Sequence, residues 1–269
     1  MRERGVPGGS SPRRPAEPER AFVAVAHGSS DPRAAAAIGA LVPLVARRAK
    51  ERGLSAPELE IAYLGHAAPS VPQVMRTFGP DAQVRVLPLL LTAAYHSKTD
   101  LPRVLARTGV RVAYGNPLGP HPLLLRALER RLPETALQNP AETGVILAAA
   151  GSSDPEANAT IARLAARWQA AAGWFAVRPA YASATGPTPA QAVTELRIAG
   201  ARRVVVASYL LAPGLFADRI RDASLAAGAD AVSPPLLPWP PAAGGAAPEV
   251  ADVVLDRYIE AGTRERAAA

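Results

Sequence analysis

Gly28-Ser29-Ser30-Asp31-Pro32 returns unchanged as Gly151-Ser152-Ser153-Asp154-Pro155, with His27 before the first copy and Ala150 before the second. Working outward, Tyr63-Leu-Gly-His-Ala-Ala-Pro-Ser70 aligns with Tyr181-Ala-Ser-Ala-Thr-Gly-Pro-Thr188, and Leu90-Leu91 through Tyr95-His96 aligns with Leu210-Leu211 through Leu215-Phe216. Through these alignments His27, His66 and His96 become Ala150, Ala184 and Phe216. The chain reads as one unit written twice, with imidazoles kept in the first copy and lost from the second. Internal duplication of this kind decides the architecture before any single element is assigned.

Both copies alternate short apolar, β-branched runs with amphipathic stretches. The pattern predicts strands at 21–26, 59–64, 84–91, 110–114, 144–149, 175–181 and 203–211. Helices are expected at 33–52, 71–78, 97–107, 123–132, 156–171, 189–199, 216–226 and 249–261. Strands separated by helices make parallel βαβ units, and strands apolar along their whole length fit a sheet covered on both faces. The expectation is an α/β protein of two tandem flavodoxin- or Rossmann-like parallel-sheet domains. Their boundaries fall at 1–20 (a polar, Pro- and Gly-rich tail read as disordered), 21–141 and 142–265.

The 269 residues suffice for two small cores. The net charge is +7, of which residues 1–20 supply about +2. The remaining surplus suits a small polyanion, but it lacks the aromatic-interleaved basic stripe of a nucleic-acid binder. Cysteine is absent, so disulfides and thiolate metal sites are excluded. No apolar run approaches the ~20 residues of a transmembrane helix, and the N-terminus does not read as a signal peptide. The expected location is the cytoplasm, with no membrane partner.

Ligands of open α/β sheets bind beyond the carboxyl ends of strands. His27 follows the first strand there, His96 follows the third, and His66 stands just past the second. Ser30 or Asp31 can cap the next helix, Pro32 suits its first turn, and the amides there favour an anion. Two neutral imidazoles make an open site for transient handling of Fe²⁺, Co²⁺ or Ni²⁺. His121, in a Gly-Pro-His-Pro turn, reads as structural.

His27-Gly-Ser-Ser-Asp-Pro, Pro69-Ser70 and the segment Pro88-Leu-Leu-Leu-Thr-Ala-Ala-Tyr-His96-Ser-Lys-Thr-Asp100-Leu-Pro together resemble the CbiX/SirB family of class II chelatases. The likeness covers most of residues 21–265, with a degenerate second copy. It implies ATP-independent insertion of a divalent metal into sirohydrochlorin, an anionic tetrapyrrole with eight carboxylates. Fe²⁺ would give sirohaem, Co²⁺ would feed cobalamin synthesis, and Ni²⁺ comes third. By resemblance, His27 binds the metal and accepts a pyrrole proton, and His96 is the second ligand. Leu91, Thr92, Ala93, Ala94 and Tyr95 then line the macrocycle, with Ser29, Ser30 and Lys98 as further substrate contacts and Arg33 and Arg103 as carboxylate partners. The family's Glu before the Pro-Ser pair is Ala68 here, which makes His66 a candidate replacement ligand. No nucleotide is implied, since there is no phosphate-binding Gly-rich loop. With both cleft walls on one chain, a monomer is expected. The other reading of the same residues is a metal or tetrapyrrole carrier without turnover.

Overall fold

The computed structural model describes residues 21–79, 82–93, 100–240 and 248–268. The expected tail at 1–20 and the segment 94–99, with Ala94, Tyr95, His96 and Lys98, lie outside the described residues.

Two four-stranded parallel sheets form, one from each copy. The first contains β1 (Phe22–Ala26), β2 (Leu59–Tyr63), β3 (Gln83–Pro88) and β4 (Arg111–Tyr114) in the order β2-β1-β3-β4. The second contains β5 (Thr143–Ala149), β6 (Ala176–Tyr181), β7 (Arg203–Ser208) and β8 (Ala231–Val232) in the matching order β6-β5-β7-β8. The central strands β1 and β5 are buried at every residue because helices cover both faces. Their alternation divides the core. Phe22, Ala24 and Ala26 face an apolar layer shared with Val145, Leu147 and Ala149 of the other sheet, whereas Val23 and Val25, and likewise Ile146 and Ala148, face separate outer cores.

The helices are α1 (Pro32–Gly39), α2 (Leu41–Glu51), α3 (Val71–Met75), α4 (Leu101–Leu105), α5 (Pro122–Glu129), α6 (Glu134–Gln138), α7 (Pro155–Ala172), α8 (Pro189–Ile198), α9 (Leu215–Ala226) and α10 (Pro248–Ala268). Several differ from expectation. The single helix expected at 33–52 is two, because the ring of Pro43 conflicts with the carbonyl of Gly39 four residues earlier and removes one backbone donor. The third and seventh strands stop at Pro88 and Ser208 rather than continuing through the leucines: each runs past its short edge partner and ends where its pairing with the central strand ends, at Val25↔Pro88 and Ala148↔Ser208. β8, two residues long, carries too little pattern to be read from sequence.

The helix that follows the last strand of each copy crosses to the other. α5 follows β4 yet packs beside β7 and α7, where Trp168 Nε1 donates to Glu129 Oε1 at 2.6 Å. α10 follows the second sheet yet packs against β3, β4 and α2. There Arg48 grips Asp252 through Nε and a terminal nitrogen (3.0 and 2.8 Å), and Arg52 reaches Asp256 at 2.8 Å. The exchange merges both copies into one central core.

Candidate metal-capture site at the sheet edge

The chain leaves β1 toward β2 on one side and returns to β3 on the other, so the carboxyl ends of β1 and β3 form a switch point, where α/β sheets place their ligands. His27 stands there, one residue past β1, and is exposed. The turn after it is set by Asp31, whose carboxylate accepts from Arg33 N at 2.9 Å and caps α1, with Pro32 in its first turn. Ser29 Oγ accepts from Asp31 N at 3.1 Å, and Ser30 is exposed. Asp154 and Ser152 repeat this arrangement in the second copy at 3.0 Å each.

The loop after β2 is bound to the first loop. Leu64 N donates to Ala26 O (3.0 Å) and Gly65 N to His27 O (3.1 Å). His66 follows in the left-handed region, at φ 59°, and is exposed. Its ring centroid lies 6.4 Å from that of His27, with the planes inclined at 54°. Ala184 at the aligned position has φ 65°, so the turn itself demands this conformation and the duplication reaches down to single dihedrals. Among the described residues, no group of three or more His, Asp or Glu side chains could hold a metal.

Leu91 and Thr92 are half-buried and Ala93 is exposed at the end of the segment that follows β3. The Leu91 carbonyl accepts from Tyr209 Oη of the second copy at 3.2 Å. The opposite wall is the start of α9. A Cβ on Gly214 would stand 3.7 Å from Ser29 Oγ, and Leu215 and Phe216 beside it are 60% and 38% exposed, an apolar pair facing open space.

The contacts correct one expectation and decide between the two caps allowed for α1. Arg33, taken as a carboxylate partner for the substrate, is engaged by the protein's own acids: it bonds Asp31 (2.6 Å) and, across to α9, Asp218 (2.6 Å). Its guanidinium holds both carboxyls below their ordinary range, while the acids push Arg33 up. Ser30 does not cap α1; Asp31 does, because its side chain meets the Arg33 amide. The reading of His121 as structural agrees with its contacts: its Nδ1 accepts from Leu123 N at 3.2 Å and caps α5. The Asp31–Arg33–Asp218 bridge was not read from sequence, because its partners lie 185 residues apart and the repeat alignment does not pair them.

A duplicated flavodoxin-like α/β fold, with a histidine-bearing edge on one copy and a bare edge on the other, defines a class of tandem two-sheet proteins. The CbiX family profile matches residues 21–135 and, a second time, 144–261, and the chain belongs to that family. Its relatives include the sirohydrochlorin cobaltochelatase of Priestia megaterium, 30% identical over 174 residues that make up 61% of this chain and 57% of that protein. The sirohydrochlorin ferrochelatase of Bacillus subtilis is 27% identical, over 62% of this chain and 66% of its own. The chain thus matches less than two thirds of the length of either relative. Among solved structures, SirB from Bacillus subtilis with Fe³⁺ superposes with a TM-score of 0.68 at 23% identity, covering 93% of this chain and 98% of that one. CbiX, described as the terminal enzyme of sirohaem biosynthesis in denitrifying bacteria, superposes with a TM-score of 0.60 at 21% identity, over 88% and 99%. These likenesses establish the tandem chelatase fold.

Proposed function

We propose that this protein inserts a divalent metal, Fe²⁺ or Co²⁺, into sirohydrochlorin in the cleft between its two copies, without nucleotide. The observation that carries the reading is His27, exposed one residue past the central strand at the switch point, where its aligned residue in the second copy is Ala150. The relatives named for both ferro- and cobaltochelatase activity support the substrate and leave both metals as candidates.

Insertion exchanges two pyrrole N–H protons and the metal's waters for four metal–nitrogen bonds. A neutral imidazole, with an ordinary pKa of ~6.5, is suited to take a pyrrole proton at neutral pH and pass it to water. In this reading His27 and His96 hold the ion, and His27 accepts the proton. Ser29, Ser30, Lys98 and residues 91–95 contact the macrocycle, with Leu215 and Phe216 opposite. Arg103, exposed on α4, is the remaining candidate for a substrate carboxylate. A monomer in the cytoplasm belongs to the same reading. No described helix is long and apolar enough to cross a membrane.

The test is an anaerobic absorbance assay of sirohydrochlorin with Fe²⁺ or Co²⁺, comparing the wild-type chain, His27→Ala and metal alone. Acceleration lost in the variant supports the reading. Spectral binding without acceleration would replace it with a carrier.

A further inference from the structure

We infer that Asp218 is a positioning residue for macrocycle binding: through Arg33 it clasps the first turn of α9 to the turn after His27, and so holds Leu215 and Phe216 at a set distance from the histidine-bearing edge. The inference rests on the cleft reading proposed above, and it names what keeps the second copy's wall in place.

The first ground is how α9 begins. Its N-cap is Gly214, at φ +152°, and none of the described side chains accepts from its opening amides. By contrast, α7 is capped by Asp154 and α8 by Thr188. The first turn of α9 is closed by Asp218 N donating to Gly214 O at 3.0 Å. A helix start with so little of its own to hold it frays unless it is tethered from outside.

The second ground is the tether. Arg33 Nε donates to both Asp31 oxygens at 3.1 Å, and one terminal nitrogen donates at 2.6 Å to Asp31 and at 2.6 Å to Asp218. Asp31 is the cap that sets the turn after His27, so one planar, permanently charged fork joins that turn to α9. Asp218 is steadied from its own helix as well, accepting from Arg221 at 3.0 Å. Leu215 precedes Asp218 by three residues and shares its side of the helix, so the tether that orients one orients the other.

The third ground is magnitude. The Arg33 and Asp218 side chains are 40% and 31% exposed, and ion pairs this open add little to stability. The shared core and the exchanged helices already join the copies, so the clasp is not needed for that. What it governs is local: the place of one apolar turn against which a flat macrocycle would lie. The residue aligned with Arg33 is Glu156, which instead pairs with Arg163 of its own helix at 2.5 Å. Among the described residues, this clasp is made on the side that carries His27.

The experiment compares the full wild-type chain with Arg33→Ala, Asp218→Ala, the double variant and Asp218→Glu. The double variant leaves the net charge unchanged, so its effect on an anionic ligand is that of the clasp. Hydrogen exchange is read over residues 214–220, metal-free sirohydrochlorin binding by absorbance, and Co²⁺ insertion as separate KM and kcat. Both single variants and the double should exchange faster there, bind sirohydrochlorin about 3- to 10-fold more weakly and raise KM to match, the double no worse than either single. The kcat should hold within about twofold and the melting temperature within about 2 °C. Asp218→Glu, which keeps the charge, should recover most of the affinity. Wild-type exchange in the double variant overturns the clasp, and wild-type affinity and KM overturn its positioning role. Tighter binding in Asp218→Ala with weaker binding in Arg33→Ala would instead make Arg33 a substrate contact restrained by Asp218, and overturn the inference. Clasp-dependent binding without turnover in wild type would sink the chelatase reading and keep the positioning residue. Turnover with binding indifferent to the clasp would do the reverse.

Discussion

Gly28 lies so close to the carbonyl oxygen of Gly65 that a Cβ on Gly28 would stand 1.7 Å from it. The residue before Gly28 is His27 and the residue after Gly65 is His66, so this contact sets how near the two imidazoles come. Gly28 also has φ +91°, a conformation that side chains rarely adopt. The second copy repeats the contact between Gly151 and the Ser183 carbonyl, at 2.0 Å for the corresponding Cβ, although no imidazole flanks it. The close approach therefore belongs to the fold, and the first copy uses it to pair two histidines.

Gly28→Ala should lose both stability and metal capture. The methyl group meets a backbone oxygen that cannot rotate away, and the dihedral adds strain, for a combined cost of about 2–4 kcal/mol. Gly151→Ala meets the same obstacle and should cost a similar amount, yet leave Co²⁺ affinity within a factor of two at a temperature where both variants remain folded. Urea unfolding and Co²⁺ titration of the pair separate the two effects. Equal loss of Co²⁺ binding in both would show that the contact acts through global stability alone.

His27→Ala should slow sirohydrochlorin metallation by about 10²-fold or more, the range over which a positioned base contributes. His27 is exposed past the end of β1, so its removal leaves no cavity and the melting temperature should stay within about 2 °C of wild type. Stopped-flow absorbance with a thermal melt of the same sample checks this. Full activity in a folded His27→Ala chain would remove it from the chemistry.

The duplication, the parallel sheets and the place of His27 were legible because each rests on short-range signals: a repeated pentapeptide, apolar runs, a strand end. Ala184 sharing the dihedral of His66 shows how far the repeat alignment carries. What the sequence hid is long-range. The crossing of α5 and α10 leaves no trace in a periodicity that marks an apolar face without saying which sheet it covers. Arg33 looked available for substrate because Asp218 is nowhere near it along the chain, and no local rule assigns a guanidinium to an acid 185 residues away.

Tyr209 Oη donates to the Leu91 carbonyl, and Gly119 admits both: a Cβ there would stand 2.2 Å from that oxygen and 2.5 Å from the hydroxyl. Tyr209 aligns with Leu89, so this tie exists once, from the second copy into the segment that leads toward residue 96. Tyr209→Phe should cost about 1 kcal/mol, the net worth of one hydrogen bond. The larger expected effect is on substrate KM, because the segment loses its anchor while the strands keep theirs. Unchanged KM with the expected stability loss would confine Tyr209 to packing.

Acid should act in two stages. Burial holds His121 below its ordinary 6.5, with Arg257 adding to the effect. The unfolded chain thus binds this proton more readily, and stability declines as pH falls below 6.5, reaching its full loss beneath the folded value. Asp31 and Asp218, held below 3.8 by Arg33, contribute stability that is complete above 3.8 and is lost as pH falls through their folded values. Urea unfolding should lose stability between pH 7.5 and 5.5 in wild type, and less of it in His121→Asn, which keeps a cap without the titration. Arg33→Gln should flatten only the later decline, below about pH 4.

The exchanged helices predict how the chain can be divided. Cut between 141 and 142, the first half keeps α5, whose Leu124, Ala127 and Leu128 are buried in the shared core against the second sheet. It lacks α10, which covers its own sheet. Two first halves cannot repair this by pairing with each other. Aligning Pro122 of α5 with Pro248 of α10 superposes their buried positions and sets Arg126 and Arg130 where Asp252 and Asp256 stand. Those acids bond Arg48 and Arg52, so a second α5 would bring arginine against arginine. Each half alone should therefore lack cooperative unfolding, and the two together should form a 1:1 complex that melts cooperatively. Sedimentation and circular dichroism of the separate and mixed halves decide it. Cooperative unfolding of the isolated first half would mean that its sheet closes without the borrowed helix, and that the exchange is not what joins the copies.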